Sequence, residues 1–371
     1  MRILYFTSRD GPHDQRFLRT LASTLHQVYA LRQRQCRPTT PPGITELAWP
    51  EGLPDWSHWP GWQQAKRQFK RLIERIKPDI VHAGPIQGPA LLVALTGFHP
   101  LVSMSWGMDL LYDTQRSPWM RFAARYTLER TDIFIADCQT VADKAASYGF
   151  PPQRMVLFPW GVDLDHFSPH QGAIEGQQLR KSLGWQETFV ILCNRTWAPV
   201  YGVDVLAKAF VCAVNNNDHL RLLLLGGGPQ ASLIHQILAP VSEYVHFAGW
   251  LNRQALPKAY CAANLFVSPS HCDGSSVSLM EALACGCPVL VSNIPSNREW
   301  VKPGVVGDVF IDGDVENFQT KLSQMEVDPN LETYGAKARL LAESRADWQK
   351  NFQRLLYAYQ LAFEGKGSYR S

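Results

Sequence analysis

The stretch that most narrows what this chain can become is Leu265–Ser292, LFVSPSHCDGSSVSLMEALACGCPVLVS. Leu265–Ser268 is an apolar run of buried-strand length, and Pro269–Ser275 is a polar loop containing glycine. A helical pattern follows from about Ser276 to Ala284. Gly286 and Pro288 end that helix, because glycine suits the left-handed position after a helix and proline cannot continue the turn. Val289–Val291 is a second strand. The result is a β–loop–α–β unit whose loop leaves the carboxyl end of a strand, where open α/β sheets take their ligands.

That loop presents backbone N–H groups at a helix start, with Ser275 or Ser276 as the cap. Such a start suits an anion, a diphosphate for example. Glu281 lies about one turn further in, and helix side chains lean back toward the N-terminus. Its carboxylate can therefore accept hydrogen bonds from hydroxyls of a ligand whose phosphates sit at the helix start. Asp273 meets the same ligand from the loop. Two carboxylates beside a phosphate-friendly helix start suit a molecule carrying both phosphate and polyol. The bland reading is an ordinary βαβ unit with Glu281 in solvent.

The rest of the chain keeps the same rhythm. Strands are expected at Ile3–Thr7, Val28–Leu31, Pro78–Ala83, Leu101–Ser105, Ile133–Ala136 and Val156–Phe158, then at Phe189–Cys193, Leu220–Leu225 and Val245–Phe247. Helices are expected at Gln15–His26, Trp62–Lys77, Arg116–Glu129, Val141–Tyr148, Val203–Val214, Pro229–Leu238, Arg253–Ala263 and about Asp347–Phe363. This alternation means parallel, doubly wound sheets, and 371 residues fill about two domains. Ser8–Asp14 carries only Gly11, so it holds no GxGxxG dinucleotide fingerprint. Pro38–Pro60 is rich in Pro and Trp without periodicity and reads as an irregular excursion.

A hydrophobic content of 46% with 19% charged residues excludes a disordered chain. No segment reaches the roughly 18 apolar residues of a spanning helix. MRILYFTSRD turns polar too soon for a signal peptide and reads as a first buried strand. Eight cysteines without CxxC pairs, several in apolar runs (Cys193, Cys212, Cys261), read as reduced thiols of a cytoplasmic protein. Cys285-Gly-Cys287 has no companion pair, so no metal site is expected. A net charge of +3 gives no argument for nucleic acid. Residues 1–170 hold 19 Lys/Arg against 15 Asp/Glu, and the remainder 17 against 18. In Trp62–Lys77, Lys66, Arg67, Lys70, Arg71 and Arg75 surround an apolar face. Either this helix meets an anionic membrane surface peripherally through residues 62–77, or it packs on the domain with a solvated outer face.

Asp273-x7-Glu281, running into EALACGCPVLVS, resembles the acidic-x7-Glu signature of retaining glycosyltransferases of family 4, the group 1 glycosyltransferases. The resemblance covers nearly all the chain, most closely 189–312. It implies the GT-B fold: two Rossmann-like, doubly wound parallel-sheet domains facing across a cleft. The acceptor-side domain is expected at 1–168, with the Pro159–Asp163 run as hinge, and the nucleotide-sugar domain at 169–345. A terminal helix over 346–371 then crosses back to the first domain.

By the same resemblance Glu281 holds the donor's ribose and Asp273, an Asp where Glu is usual, touches the transferred sugar. Arg195 matches the arginine of the donor phosphates, a planar fork suited to oxyanions. Tyr201 stands where many relatives have Lys, bringing one hydrogen bond and no charge. Gly226 and Gly228 allow close backbone approach, Trp250 and Leu251 fall in the nucleobase segment, and Gly274, Ser275, Ser276 and Val277 carry the helix start.

On the acceptor side the resemblance points to Gly11, His82, Trp106 and Asp109. His82 faces the cleft or is a satisfied structural histidine. Trp106 takes the place of a His before Gly, which argues against a side-chain base there. Asp109 is an acceptor-side carboxylate or the cap of the following helix. The expected activity is metal-independent, retaining transfer of a hexose-type sugar from a nucleotide-diphosphate sugar, UDP-linked by the family's habit, in cell-surface polysaccharide or glycolipid synthesis. The acceptor is a saccharide, a lipid-linked saccharide or a small molecule. No cofactor is expected beyond the nucleotide sugar as substrate. Two other classes stay open: a non-catalytic sugar-nucleotide-binding partner subunit, and a sugar-nucleotide epimerase of the same architecture.

Overall fold

A computed structural model describes residues 1–9, 11–34 and 40–365. Residue 10 of the first loop, residues 38–39 of the Pro- and Trp-rich excursion and the last six residues of the chain lie outside the described residues. The chain divides into two compact units, Met1–Phe158 with Phe352–Ser371, and Pro159–Asn351. The division falls before the Pro159–Asp163 run rather than near residue 168. Val162 donates its amide to Ala346 (2.7 Å) and accepts from the Trp348 amide (3.0 Å), which ties that run to the second unit.

The first unit is built on a seven-stranded parallel sheet. Its strands are β1 (Arg2–Thr7), β2 (Gln27–Arg32), β3 (Ile44–Glu46), β4 (Ile80–Gly84), β5 (Leu101–Met104), β6 (Ile133–Ala136) and β7 (Met155–Leu157). Their order in space is β3-β2-β1-β4-β5-β6-β7, so the direction of winding reverses between β1 and β4. β4, β5 and β6 are buried along their whole length, as strands covered on both faces must be. β3 lies in the stretch that carried no sequence signal; it is three residues long and mostly exposed.

Helix Pro12–Ala22 starts earlier and ends sooner than the expected Gln15–His26. Pro12 fits the first turn, and the Asp14 carboxylate accepts from the Gly11 amide (3.1 Å). Phe17, Leu18 and Leu21 are buried, but Leu25, beyond the helix end, is fully exposed. Helix Trp59–Ile76 buries Ala65, Phe69, Leu72 and Ile76 against Leu4, Phe6 and Val81 of the sheet. Its apolar stripe is thereby used inside the protein, and what the helix leaves on the surface is its basic face with Trp59 at its start. Among the described residues no helix is long and apolar enough to cross a membrane.

On the opposite face of the first sheet the terminal helix Trp348–Glu364 packs, from Phe352 onward, within the first unit. Its Tyr359 hydroxyl lies 2.6 Å from Nδ1 of His82 on β4. His82 is fully buried among Tyr5, Phe17 and Tyr359, and its Nε2 has no partner among the described residues. Burial pushes its pKa down to about 3. Unfolded histidine titrates near 6.5, so on acidification the unfolded chain takes up this proton first. The contribution of neutral His82 to stability is present above about pH 6.5 and is lost toward pH 3, at about 1.4 kcal/mol per unit. A His82→Gln variant is expected to show a shallower acid limb in a plot of urea midpoint against pH. Parallel limbs would place the acid sensitivity elsewhere.

The second unit has a six-stranded parallel sheet of β8 (Phe189–Cys193), β9 (Leu220–Leu225), β10 (Val245–Gly249), β11 (Leu265–Ser268), β12 (Val289–Ser292) and β13 (Gly307–Phe310). The order is β10-β9-β8-β11-β12-β13. Winding reverses between β8 and β11, the crevice at which doubly wound sheets take ligands. Helix Val203–Val214, apolar nearly all round, fills one face with Leu206 and Phe210 against Ile191, Leu222 and Val267.

Candidate donor site

Arg195 and Asp273 leave the carboxyl ends of the two strands that flank this reversal. β8 ends at Cys193 and runs into Asn194-Arg195; β11 ends at Ser268 and runs into the Pro269–Ser276 loop. Gly202 lets the two loops close on each other: at φ +60° a Cβ there would sit 2.1 Å from the Pro269 carbonyl oxygen. The Arg195 guanidinium donates through Nη2 to Asp273 Oδ2 at 2.7 Å, and through Nη1 to Ser276 Oγ and Ser278 Oγ at 3.0 Å each. Its Cζ lies 4.4 Å from the centre of the Tyr201 ring. Burial is the largest influence and works against the guanidinium charge, but Asp273 together with Tyr201, Cys193 and Tyr260 outweighs it and the pKa is raised. A guanidinium has five N–H donors. Nε is buried and has no partner among the described residues.

Ser276 caps helix Val277–Ala284 by backbone geometry only, its hydroxyl being held by Arg195. Ser275 is buried and turned toward the Met280 sulfur. The Gly274 amide donates to the neighbouring Asp273 carboxylate (3.0 Å), and half-buried Val277 opens the helix. One turn in, Glu281 Oε2 accepts from the Tyr260 hydroxyl at 2.7 Å, and that hydroxyl accepts from Asn194 Nδ2, also at 2.7 Å. Tyr260 is fully buried; burial, then the adjacent Glu281, hold its pKa well above the ordinary phenol value, so it stays a donor. The Tyr260 hydroxyl also lies 3.2 Å from the Ser278 carbonyl oxygen, which joins Arg195, Asp273, Ser276, Ser278, Glu281, Tyr260 and Asn194 into one connected set.

The sequence reading missed Tyr260, Asn194 and Ser278. It also sent Arg195 and Asp273 separately to a ligand, whereas here they hold each other. The glycine turn packs against the Arg195 loop. A Cβ on Gly228 would meet the Trp197 carbonyl oxygen at 2.5 Å, so the close approach it allows is made with the chain's own Arg195 loop. Gly226, at φ +88°, donates to the Gly249 carbonyl (2.7 Å) and sets the same turn. Trp250 is 71% exposed with Leu251 half-buried beside it, leaving an open indole face.

In the first unit, two of the four expected acceptor-side residues, His82 and Asp109, are buried. His82 faces the core as described. Asp109 is buried, and its oxygens accept from the Ile86 amide (2.9 Å), the Ser105 hydroxyl (2.6 Å) and the Trp106 amide (3.0 Å). These bonds brace the loops after β4 and β5, and burial raises its pKa despite them. His82 thus takes its structural reading, whereas Asp109 does not cap the following helix, which begins at Asp109 itself, but ties these loops together. Trp106 is half-buried, its ring 5.7 Å from His13 and 6.3 Å from Phe17, and Gly11 caps the first helix of the same rim. Among the described residues no three His, Cys, Asp or Glu are grouped to hold a metal ion.

Two Rossmann-like sheets, each reversing at a loop-built crevice, are the architecture of GT-B transferases. The family model described as "Glycosyl transferase 4-like" matches residues 2–138, and that described as "Glycosyl transferases group 1" matches 187–328. The chain belongs to this family of glycosyltransferases. It is 30% identical over 206 residues to a GDP-mannose-dependent monoacylated alpha-(1-6)-phosphatidylinositol monomannoside mannosyltransferase of Corynebacterium glutamicum. That match covers 53% of this chain and 54% of the relative, so the chain spans only about half of that protein's length. It is 25% identical to a GDP-mannose-dependent alpha-(1-6)-phosphatidylinositol monomannoside mannosyltransferase of Mycolicibacterium smegmatis, over 78% of each chain. In fold it is similar to the HepE protein of Anabaena in complex with UDP (TM-score 0.79, 18% identity, 97% of this chain and 100% of that one). It is likewise similar to sucrose-phosphate synthase of Thermosynechococcus elongatus (TM-score 0.79, 18% identity, 98% and 100%).

Proposed function

We propose that this chain transfers a hexose-type sugar from a nucleotide-diphosphate sugar to an acceptor hydroxyl, with retention at the anomeric carbon and without a metal ion. The observation that carries this reading is the Arg195 fork, anchored by Asp273, Ser276 and Ser278 at the start of the helix whose next turn carries Glu281. The diphosphate meets Arg195 and the helix amides, which offset the charge that develops as it leaves. Glu281 accepts from the ribose hydroxyls, Asp273 orients the transferred sugar, and Trp250 stacks on the base. The bond from the anomeric carbon to the phosphate oxygen breaks while the acceptor oxygen bonds to the same face. The acceptor proton passes to the departing phosphate oxygen, so no side-chain base is required. This accords with Trp106, which cannot serve as one, and with Asp109, whose oxygens are engaged.

The donor is a UDP-sugar on the family's habit, and the names of the mannosyltransferase relatives add GDP-mannose as the second choice. The test is a panel of nucleotide sugars screened by thermal shift without metal. A ligand at about a hundred times its dissociation constant adds about 2.7 kcal/mol of stability. The expected result is a shift confined to one sugar nucleotide, abolished in Glu281→Ala, with free nucleoside diphosphate released when acceptor is added. Binding without release would make the chain a non-catalytic partner subunit. Conversion of the sugar with no acceptor consumed would make it an epimerase.

A further inference from the structure

Helices Trp59–Ile76, Leu91–Thr96 and Pro118–Glu129 pack side by side on one face of the first unit's sheet. Their inner sides are core: Ala65, Phe69 and Leu72 on the first, Ala123, Ala124 and Leu128 on the last. The outer side of Pro118–Glu129 is not what a merely solvated helix shows. Trp119 and Phe122 are 49% and 56% exposed, and their rings stack on each other at 5.6 Å and 30°. Phe122 continues the row to Tyr126 (6.0 Å), over which the Arg130 guanidinium sits at 3.6 Å. Trp59, 57% exposed, opens the basic helix on the other side of Leu91–Thr96. Both helices run back from the carboxyl edge of the parallel sheet, so Trp59 and Trp119 lie toward that same edge.

Arg116, Arg121 and Arg125 are exposed around the aromatic row, and Arg67, Lys70, Arg71 and Arg75 are exposed on the basic helix. Of the acids nearby, Glu129 is paired with Arg125 at 3.1 Å and Glu51 with Arg71, half-buried Asp113 lies by Arg116, and Glu74 is exposed on the basic helix, four acids against the eight arginines and lysines named here. That leaves a surface with a clear excess of positive charge and a ridge of aromatic rings. Indole and phenyl rings favour the boundary between water and acyl chains, while arginines around them meet lipid phosphates. Neither half of the pairing has an evident use in water.

We propose that this face docks on an anionic lipid surface, with Trp119 and Phe122 entering the headgroup layer and the arginines and lysines of both helices meeting phosphates. The proposed transfer reaction does not require a membrane, so this inference goes beyond it and stands or falls separately. It also moves the contact from residues 62–77 alone to a surface centred on the helix at 118–129.

The test is sedimentation of the full chain with vesicles of phosphatidylcholine alone, and with vesicles in which part of it is replaced by phosphatidylglycerol. Binding is expected to the anionic vesicles only, weakening steeply as salt rises from about 0.1 M to about 1 M, where the screening length falls from about 10 Å to about 3 Å. The double variants Trp119→Ala/Phe122→Ala and Arg121→Gln/Arg125→Gln alter exposed side chains only, so unchanged melting is expected. Each is expected to lower affinity for anionic vesicles on the order of tenfold or more. The nucleotide-sugar thermal shift of both variants should equal that of the parent chain. No binding to anionic vesicles, equal binding to neutral ones, or undiminished binding by both variants would overturn the proposal. The first of these would assign the ridge to a protein partner instead. Loss of the donor shift in the parent chain would count against the transfer reaction and leave the vesicle result untouched.

Discussion

Exchanging Arg195 for lysine is expected to lower turnover at least a hundredfold while the second unit stays folded. Lysine keeps the charge beside Asp273, so the pair at 2.7 Å is preserved in kind. What it loses is the planar fork that reaches Asp273, Ser276 and Ser278 at once. Removing one well-placed donor from a site of developing negative charge costs on the order of a hundredfold to a thousandfold in rate. Arg195→Ala should be equally inactive but also less stable. Asp273 would be left as a carboxylate only 15% exposed, and breaking a buried pair by deleting one partner costs about 3–5 kcal/mol. The measurement is acceptor-dependent release of nucleoside diphosphate, with thermal melts of all three proteins. Near-normal turnover in the lysine variant would remove Arg195 from the chemistry whatever the melts show.

The readability of this site from the sequence follows the range over which its contacts act. β8 and β11 are short runs of uninterrupted apolar residues, and both strands and their reversal point follow from local pattern and alternation. The helix start at Ser276 was equally plain, since Gly286 and Pro288 fix the other end of a short helix. The Arg195–Asp273 pair was not legible, because it depends on β8 and β11 being neighbours, and the two residues stand 78 positions apart. Tyr260 was visible as part of a helix, but nothing local says that its hydroxyl reaches Glu281. His82 misleads for a related reason. On β4 it alternates with Val81 and Ala83, which face the helical layer, so it points to the other side of the sheet. Its partner there, Tyr359, is 277 residues away. β3 and β13 escaped because each is short and carries polar residues, leaving little period to detect.

Glu281→Ala is expected to reduce catalytic efficiency at least a hundredfold, and Tyr260→Phe to reproduce part of that loss without touching the ligand. The phenol is held between Asn194 Nδ2 and Glu281 Oε2 at 2.7 Å each, so it fixes the direction in which the carboxylate faces. A hydrogen bond to a charged group contributes about 1.5–3 kcal/mol. Its removal should therefore raise the KM for donor by roughly tenfold or more, with kcat moved less, since ribose contacts are made in the ground state as well as the transition state. If Tyr260 acts through Glu281, the two changes will not add. Introducing Tyr260→Phe into Glu281→Ala should cost little beyond the single change, because groups in one network couple. Additive losses would mean that Tyr260 serves the packing of its helix independently, and unaltered donor affinity in Glu281→Ala would take the ribose away from this carboxylate altogether.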